Sequence, residues 1–260
     1  MIYHFTVLFF SVLFFISLFI ISERSIVPAW SFFLITAGSL ITLSIIAAKK
    51  LTGYWYTAYL PSTLAFSVPL LLSLIDRGFE TRAFIIIASL IYYVALLGIY
   101  RLRQNERDKT ARAMLNLTAL SSLFFVFTAT YGLYINYEVH LAILLTVFFV
   151  VSFVVALHTL FTAWEPKDTK LILLTAFAIG MLMTELVWVI HFWPFGYLTV
   201  GTALLIHFYL LWKISFDLIR GQFVFKNALQ ESAILIALLV ISFITIFDAP
   251  LRPEFLMSLF

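Results

Sequence analysis

The chain has 260 residues, 63% of them hydrophobic and only 11% charged, with a formal net charge of +3 and a mean hydropathy of +1.09. Soluble domains carry roughly 45–50% apolar and about 25% charged residues, so this composition excludes a water-facing surface and defines an integral membrane protein. The absence of cysteine excludes disulfides, thiolate metal sites, covalent c-type haem and cysteine nucleophiles.

A hydrocarbon core of about 30 Å takes roughly 20 helical residues. In chain order that length finds nine candidate spans, approximately Tyr3–Ser22, Ala29–Ala48, Leu51–Ile75, Ala83–Tyr100, Ala113–Asn136, His140–Ala163, Leu171–Phe192, Phe195–Trp212 and Ser232–Phe247. Lipid offers no partner for a backbone donor or acceptor, so only helices or closed barrels can cross it. Barrel strands alternate apolar and polar residues, whereas "LAILLTVFFVVSFVVAL" is continuously apolar. The expected fold is therefore an all-α, polytopic transmembrane helical bundle of about nine spans. The first span lacks a basic flank and a small-residue cleavage site, so it reads as retained and not as a secretion signal. The longest connection is Arg101–Arg112, and residues 1–260 read as a single transmembrane domain with no soluble domain.

Lys and Arg are enriched in cytoplasmic connections. With alternate connections assigned to opposite sides, Arg24, Arg77, Arg82 and Arg252 fall on one side and the other twelve basic residues on the other. This bias places the N-terminus inside and the C-terminus outside. Trp188, Trp193 and Tyr197 around Pro194 fit the outer headgroup level, and Trp164 and Trp212 the inner one. The segment "RGQFVFKNALQES", with Phe223, Phe225 and Leu229, reads as an ordinary connection in preference to an interfacial helix.

Most acidic residues lie in connections or at span ends, but Glu185 stands inside the seventh span, roughly 10 Å from the outer turn. An intramembrane ionisable group costs at least about 2.5–3.5 kcal/mol to insert and often has a role. Two readings stand: a proton carrier, cation ligand or base, or a protonated carboxyl bonded between helices. Glu185 and His191 are six residues apart and face different ways, so no dyad forms within this helix. Gly180, Thr184, Trp188 and His191 share one stripe, which Glu185 borders. Ala176, Gly180 and Thr184 form a small-residue run suited to close helix contact.

His158, His191 and His207 fall in spans six, seven and eight, at depths too different for one metal or haem shell. Interhelical hydrogen bonding is the expected role of each. Lys213, Asp217 and Arg220 have the spacing of an interfacial ion-pair ladder. Pro61 and Pro69, with Ser62, Thr63 and Ser67 between them, predict a kinked third span, read as packing because no other half of the chain repeats it. There is no Walker loop, no nucleophile elbow, no paired intramembrane aspartates and no mid-span lysine.

The stretch "TELVWVIHFWPFGYLTVG", Thr184–Gly201, resembles uncharacterised polytopic membrane proteins of small-genome bacterial lineages in its Glu, Trp and Pro spacing across a helical hairpin. That resemblance implies no activity and directs attention to Glu185, Trp188 and Pro194. Glu185, Trp188, His191 and His207 are the candidate ligand-binding residues; no catalytic or metal-binding residue and no cofactor is assigned. The expected surroundings are the lipid bilayer of a bacterial inner membrane and, in addition, further copies or partner subunits, without nucleic acid. The expected function is a small carrier or the membrane subunit of an envelope assembly. The alternative is a membrane-embedded enzyme acting on lipid-linked substrates, with Glu185 meeting His207 or the Tyr54, Tyr56 and Tyr59 cluster.

Overall fold

The computed structural model describes residues 2–23, 30–75, 78–137, 139–163, 169–192, 195–221 and 233. Apart from Ala233, the expected ninth span lies outside the described residues, as do Trp164, Trp193, Pro194, Asp248 and the connection at 222–232. The described residues form eight α-helices and no strand: α1 (Ile2–Glu23), α2 (Trp30–Thr52), α3 (Tyr59–Leu72), α4 (Phe79–Gln104), α5 (Lys109–Tyr137), α6 (Leu141–Ala163), α7 (Thr169–Ile190) and α8 (Tyr197–Ile219). All but α3 are long and apolar enough to cross a membrane.

Seven expected spans each coincide with one helix, several of which run a turn further at their polar ends. The third is different. Gly53 adopts a left-handed conformation (φ 81°), and the Thr52 hydroxyl accepts the Tyr54 amide at 3.1 Å. Together these end α2, and a 3₁₀ turn at Tyr56–Ala58 leads into α3. The 14 residues of α3 reach only about 21 Å, too short for a lipid-exposed span. It still passes from one end of the bundle to the other. Tyr59 packs on His158 near the end of α6, with ring centroids 4.2 Å apart. Beyond its far end, the Leu74 carbonyl accepts the Tyr197 hydroxyl from the start of α8 at 3.3 Å. Protein surrounds most of this helix, ten of its residues being buried, so a short element is tolerated where lipid does not reach it. Pro61 lies in the first turn, where the missing N–H has no intrahelical partner to lose.

Two clusters of buried side chains form the core. One joins α1 to α4, where Phe14 stacks on Tyr92 at 4.1 Å and the Tyr92 hydroxyl meets Ser44 Oγ at 3.0 Å. The other joins α5 to α8, where Phe127 stacks on Phe148 at 4.8 Å. α5 serves both clusters, giving Phe125 and Ala129 to the first and Leu115, Ala119, Leu123, Phe127 and Tyr131 to the second. Helix faces are apolar inside and out, so residue size and hydroxyl content distinguish them. In α1 the buried stripe is Val7, Phe10, Ser11, Phe14 and Leu18, while Phe5, Leu8, Phe9, Val12 and Ile16 point outward. Buried hydroxyls bond back to their own helix, as Ser11 does to the Val7 carbonyl at 2.9 Å and Ser89 to that of Ile85 at 2.7 Å.

The helices approach most closely at glycines. A Cβ on Gly201 of α8 would lie 2.1 Å from Thr128 Oγ1 of α5, and one on Gly132 would lie 2.4 Å from Leu74 Cδ1. Gly180 of α7 faces Phe149 of α6, whose ring and carbonyl oxygen would both lie 3.2 Å from a Cβ. The Ala176–Gly180 run is therefore occupied within the chain.

Candidate functional site

The packed face of α7 is Ile172, Ala176, Ile179, Gly180, Met183, Val187 and Ile190, a helical repeat that lies against α6. The opposite face presents Leu174, Phe177, Met181, Leu182, Trp188 and Val189 to the surroundings. Glu185 lies in the middle of that outward face and is exposed. Among the described residues it has no hydrogen-bond or ion-pair partner. It sits five residues before the helix end at Ile190, about 8 Å along the axis, so its neighbours are apolar side chains and not the polar helix terminus. The carboxyl meets neither His207 nor Tyr59.

Trp188 is half exposed on the same face, one turn beyond Glu185, with its ring edge-on to Phe192 at 5.8 Å. His191 donates through Nδ1 to the Trp188 carbonyl, and its ring tilts over Phe192 at 3.8 Å. His207 donates through Nδ1 to the Ala203 carbonyl at 2.7 Å. Both bonds therefore close within one helix, where interhelical ones were expected. A carbonyl can only accept, so each imidazole carries its proton on Nδ1 when neutral. The Glu185–Trp188–His191 end of α7 is thus one surface, and His207 lies apart from it on α8.

The Lys213–Asp217 pair forms as expected, at 3.2 Å. The Arg220 guanidinium lies 4.0 Å over the Phe216 ring. Two of the three clustered tyrosines point different ways. Tyr54 is exposed beneath Arg103 at 5.0 Å, and Tyr59 turns inward onto His158.

Three features escaped sequence reasoning. Asp108 caps α5, its Oδ1 accepting the amides of Thr110 and Ala111 at 2.9 and 3.2 Å while its Oδ2 takes Arg101 at 2.9 Å. Those amide bonds, the Ala111 one above all, and the Arg101 charge hold its carboxyl below the usual range. The spacing of an Asp before a helical run was the available signal. Second, the Tyr59 hydroxyl and Ser62 Oγ are buried without hydrogen-bond partners among the described residues. Third, a cleft between α5, α6 and α8 is lined by Asn116, Ala119, Leu120, Thr159, Phe208 and Trp212. Among the described residues no three His, Asp or Glu side chains are grouped to hold a metal ion.

Seven helices of spanning length and an outward surface of large apolar side chains make this the fold of a multi-pass membrane protein. Residues 47–246 match the family described as protein of unknown function DUF5656, and the chain belongs to that family. No curated protein and no solved structure matches it.

Proposed function

We propose that the chain is the membrane subunit of an envelope assembly in the bacterial inner membrane. It would have nine spans, its N-terminus and most basic connections on the cytoplasmic side, and would associate with a second copy through the outward face of α7. The observation that carries this reading is Glu185, a carboxyl set among exposed apolar side chains with no partner among the described residues. Carriers and membrane enzymes need polar groups converging inside the bundle, whereas Glu185 and Trp188 point away from it. A carboxyl facing lipid is costly in any protonation state that lacks a partner. When protonated it both donates and accepts, so the same residue on a second copy, related by a two-fold axis, satisfies it fully.

The test is the size of the full-length protein in mild detergent. Glu185→Leu removes an interhelical hydrogen bond worth roughly 1–2 kcal/mol in membrane helices and shifts the species towards monomer. Glu185→Gln keeps a donor and an acceptor and retains the dimer. A wild-type protein that is monomeric, or a Leu variant that dimerises as tightly as wild type, would overturn the reading.

A further inference from the structure

At one corner of the bundle an exposed apolar stripe ends in basic side chains. On α2, Ile45 and Ile46 point outward, and Lys49 and Lys50 each follow one turn later on the same face. Both lysines are exposed, and Lys50 Nζ lies 6.0 Å from the ring centroid of Phe10 on α1. The turn after α2 is braced. The Gly53 amide donates to the Lys49 carbonyl at 2.8 Å, and the Thr52 and Thr57 hydroxyls meet across the turn at 2.8 Å. It presents Tyr54 and Trp55 outward, Trp55 being 74% exposed, and the Arg103 guanidinium of α4 lies 5.0 Å over the Tyr54 ring. Contacts at Ser44–Tyr92 and Tyr54–Arg103 show that α2 and α4 run in the same direction. Counted from Ser44 and Tyr92, the two lysines lie about 8–9 Å and Arg103 about 16 Å towards this end of the bundle.

Residues 49–50 and 101–112 hold seven basic and two acidic side chains. One of the acids, Asp108, is taken by Arg101. Among the described residues Lys49, Lys50, Arg103, Arg107 and Lys109 form no ion pair. Stacking on Tyr54 occupies the face of the Arg103 guanidinium and leaves its edge N–H groups for an oxyanion. A basic edge above outward-facing isoleucines fits an anion joined to hydrocarbon, which neither free phosphate nor an acidic protein supplies. The exposed indole beside it suits the headgroup level. We propose that this corner binds an anionic phospholipid, its phosphate held by Arg103 with Lys49 and Lys50 and an acyl chain lying along Ile45 and Ile46. Tyr54 acts by orienting Arg103. The site is independent of Glu185 and of the side of the membrane that this end faces.

The experiment measures, by native mass spectrometry, the lipid retained by the full-length protein released from nanodiscs of equal phosphatidylglycerol and phosphatidylcholine. Wild type keeps phosphatidylglycerol in preference, and neither millimolar inorganic phosphate nor poly-glutamate displaces it. Arg103→Gln lowers retention about tenfold, the loss of one charge-assisted contact, and Lys49→Gln/Lys50→Gln lowers it by a similar factor. Arg103→Lys, which keeps the charge and loses the planar fork, falls between Arg103→Gln and wild type. Tyr54→Leu lowers retention about threefold alone and no further when combined with Arg103→Gln, as a positioning residue should. These side chains are exposed or half-buried, so the variants keep the fold. Lys170→Gln, altered at the start of α7, retains lipid as wild type does. Equal retention of the two lipids would overturn the proposal, as would unchanged retention in Arg103→Gln or an equal loss in Lys170→Gln. Displacement by inorganic phosphate would make the corner a free-anion site, and displacement by poly-glutamate a docking surface for acidic protein; either result also overturns it.

Discussion

Gly201→Ala tests how far the fold depends on the contact between α5 and α8. The added Cβ would stand 2.1 Å from Thr128 Oγ1, 3.1 Å from its Cβ and 3.2 Å from its Cα. Rotating the hydroxyl relieves only the first clash; the other two involve atoms fixed by the backbone of α5. The helices must therefore separate by a few tenths of an ångström along a seam that also carries Val200, Leu204 and Phe208 against Leu123 and Phe127. Overpacking of this kind costs about 1–3 kcal/mol. Thr128 Oγ1 is buried without a partner among the described residues, so Thr128→Ala alone should cost less than about 1 kcal/mol. The double variant should recover part of the Gly201→Ala loss, a coupling between touching residues of about 0.5 kcal/mol or more. Unfolding of the four proteins in mixed micelles, followed by denaturant titration, measures the cycle. If Gly201→Ala is as stable as wild type, or the double variant shows no coupling, the close approach of α5 to α8 is not the packing described.

Replacing Asp108 reports on the α4–α5 turn. Its carboxyl is favoured in the charged form on folding, so its contribution is present above the ordinary carboxylate range and lost as pH falls through the depressed folded value. Amide exchange at Thr110 and Ala111, corrected for intrinsic rates, should lose protection only below about pH 4. Asp108→Ala should lose it at every pH, and Asp108→Asn, still a good cap, should keep it without the acid transition. Topology is open to single-cysteine labelling because the chain has no cysteine of its own. Asn105→Cys, in the basic α4–α5 turn, should be shielded from an impermeant maleimide in intact cells, and His140→Cys, before α6, should react. The reverse pattern would invert the proposed orientation.

Seven helices were legible because crossing a bilayer demands length and apolarity, both of which composition reports directly. The third span was not legible in the same way. Tyr54, Trp55 and Tyr56 count as apolar, yet Gly53 and the Thr52 side chain end α2 just before them. The ion pair at Lys213 and Asp217 followed from spacing alone. The depth of Glu185 was readable too, but its direction was not. In lipid both faces of α7 are apolar, so periodicity of hydrophobicity cannot distinguish core from surroundings. The small residues do carry that information: Ala176 and Gly180 mark the face against α6 and so turn Glu185 outward. The cleft was hidden because Asn116 on α5, Thr159 on α6 and Trp212 on α8 meet only through the packing of distant segments, which no local pattern encodes.

The outward face of α7 as a site of self-association is tested most directly by cysteines placed on it. Leu182→Cys and Val189→Cys flank Glu185 on the exposed face, and Ile86→Cys, on the exposed face of α4, is the control. Oxidative crosslinking in native membranes should give a species of twice the chain mass from Leu182→Cys or Val189→Cys, none from Ile86→Cys, and less when Glu185→Leu is added. Monomer alone from both α7 positions, or equal crosslinking from α4, would contradict the account.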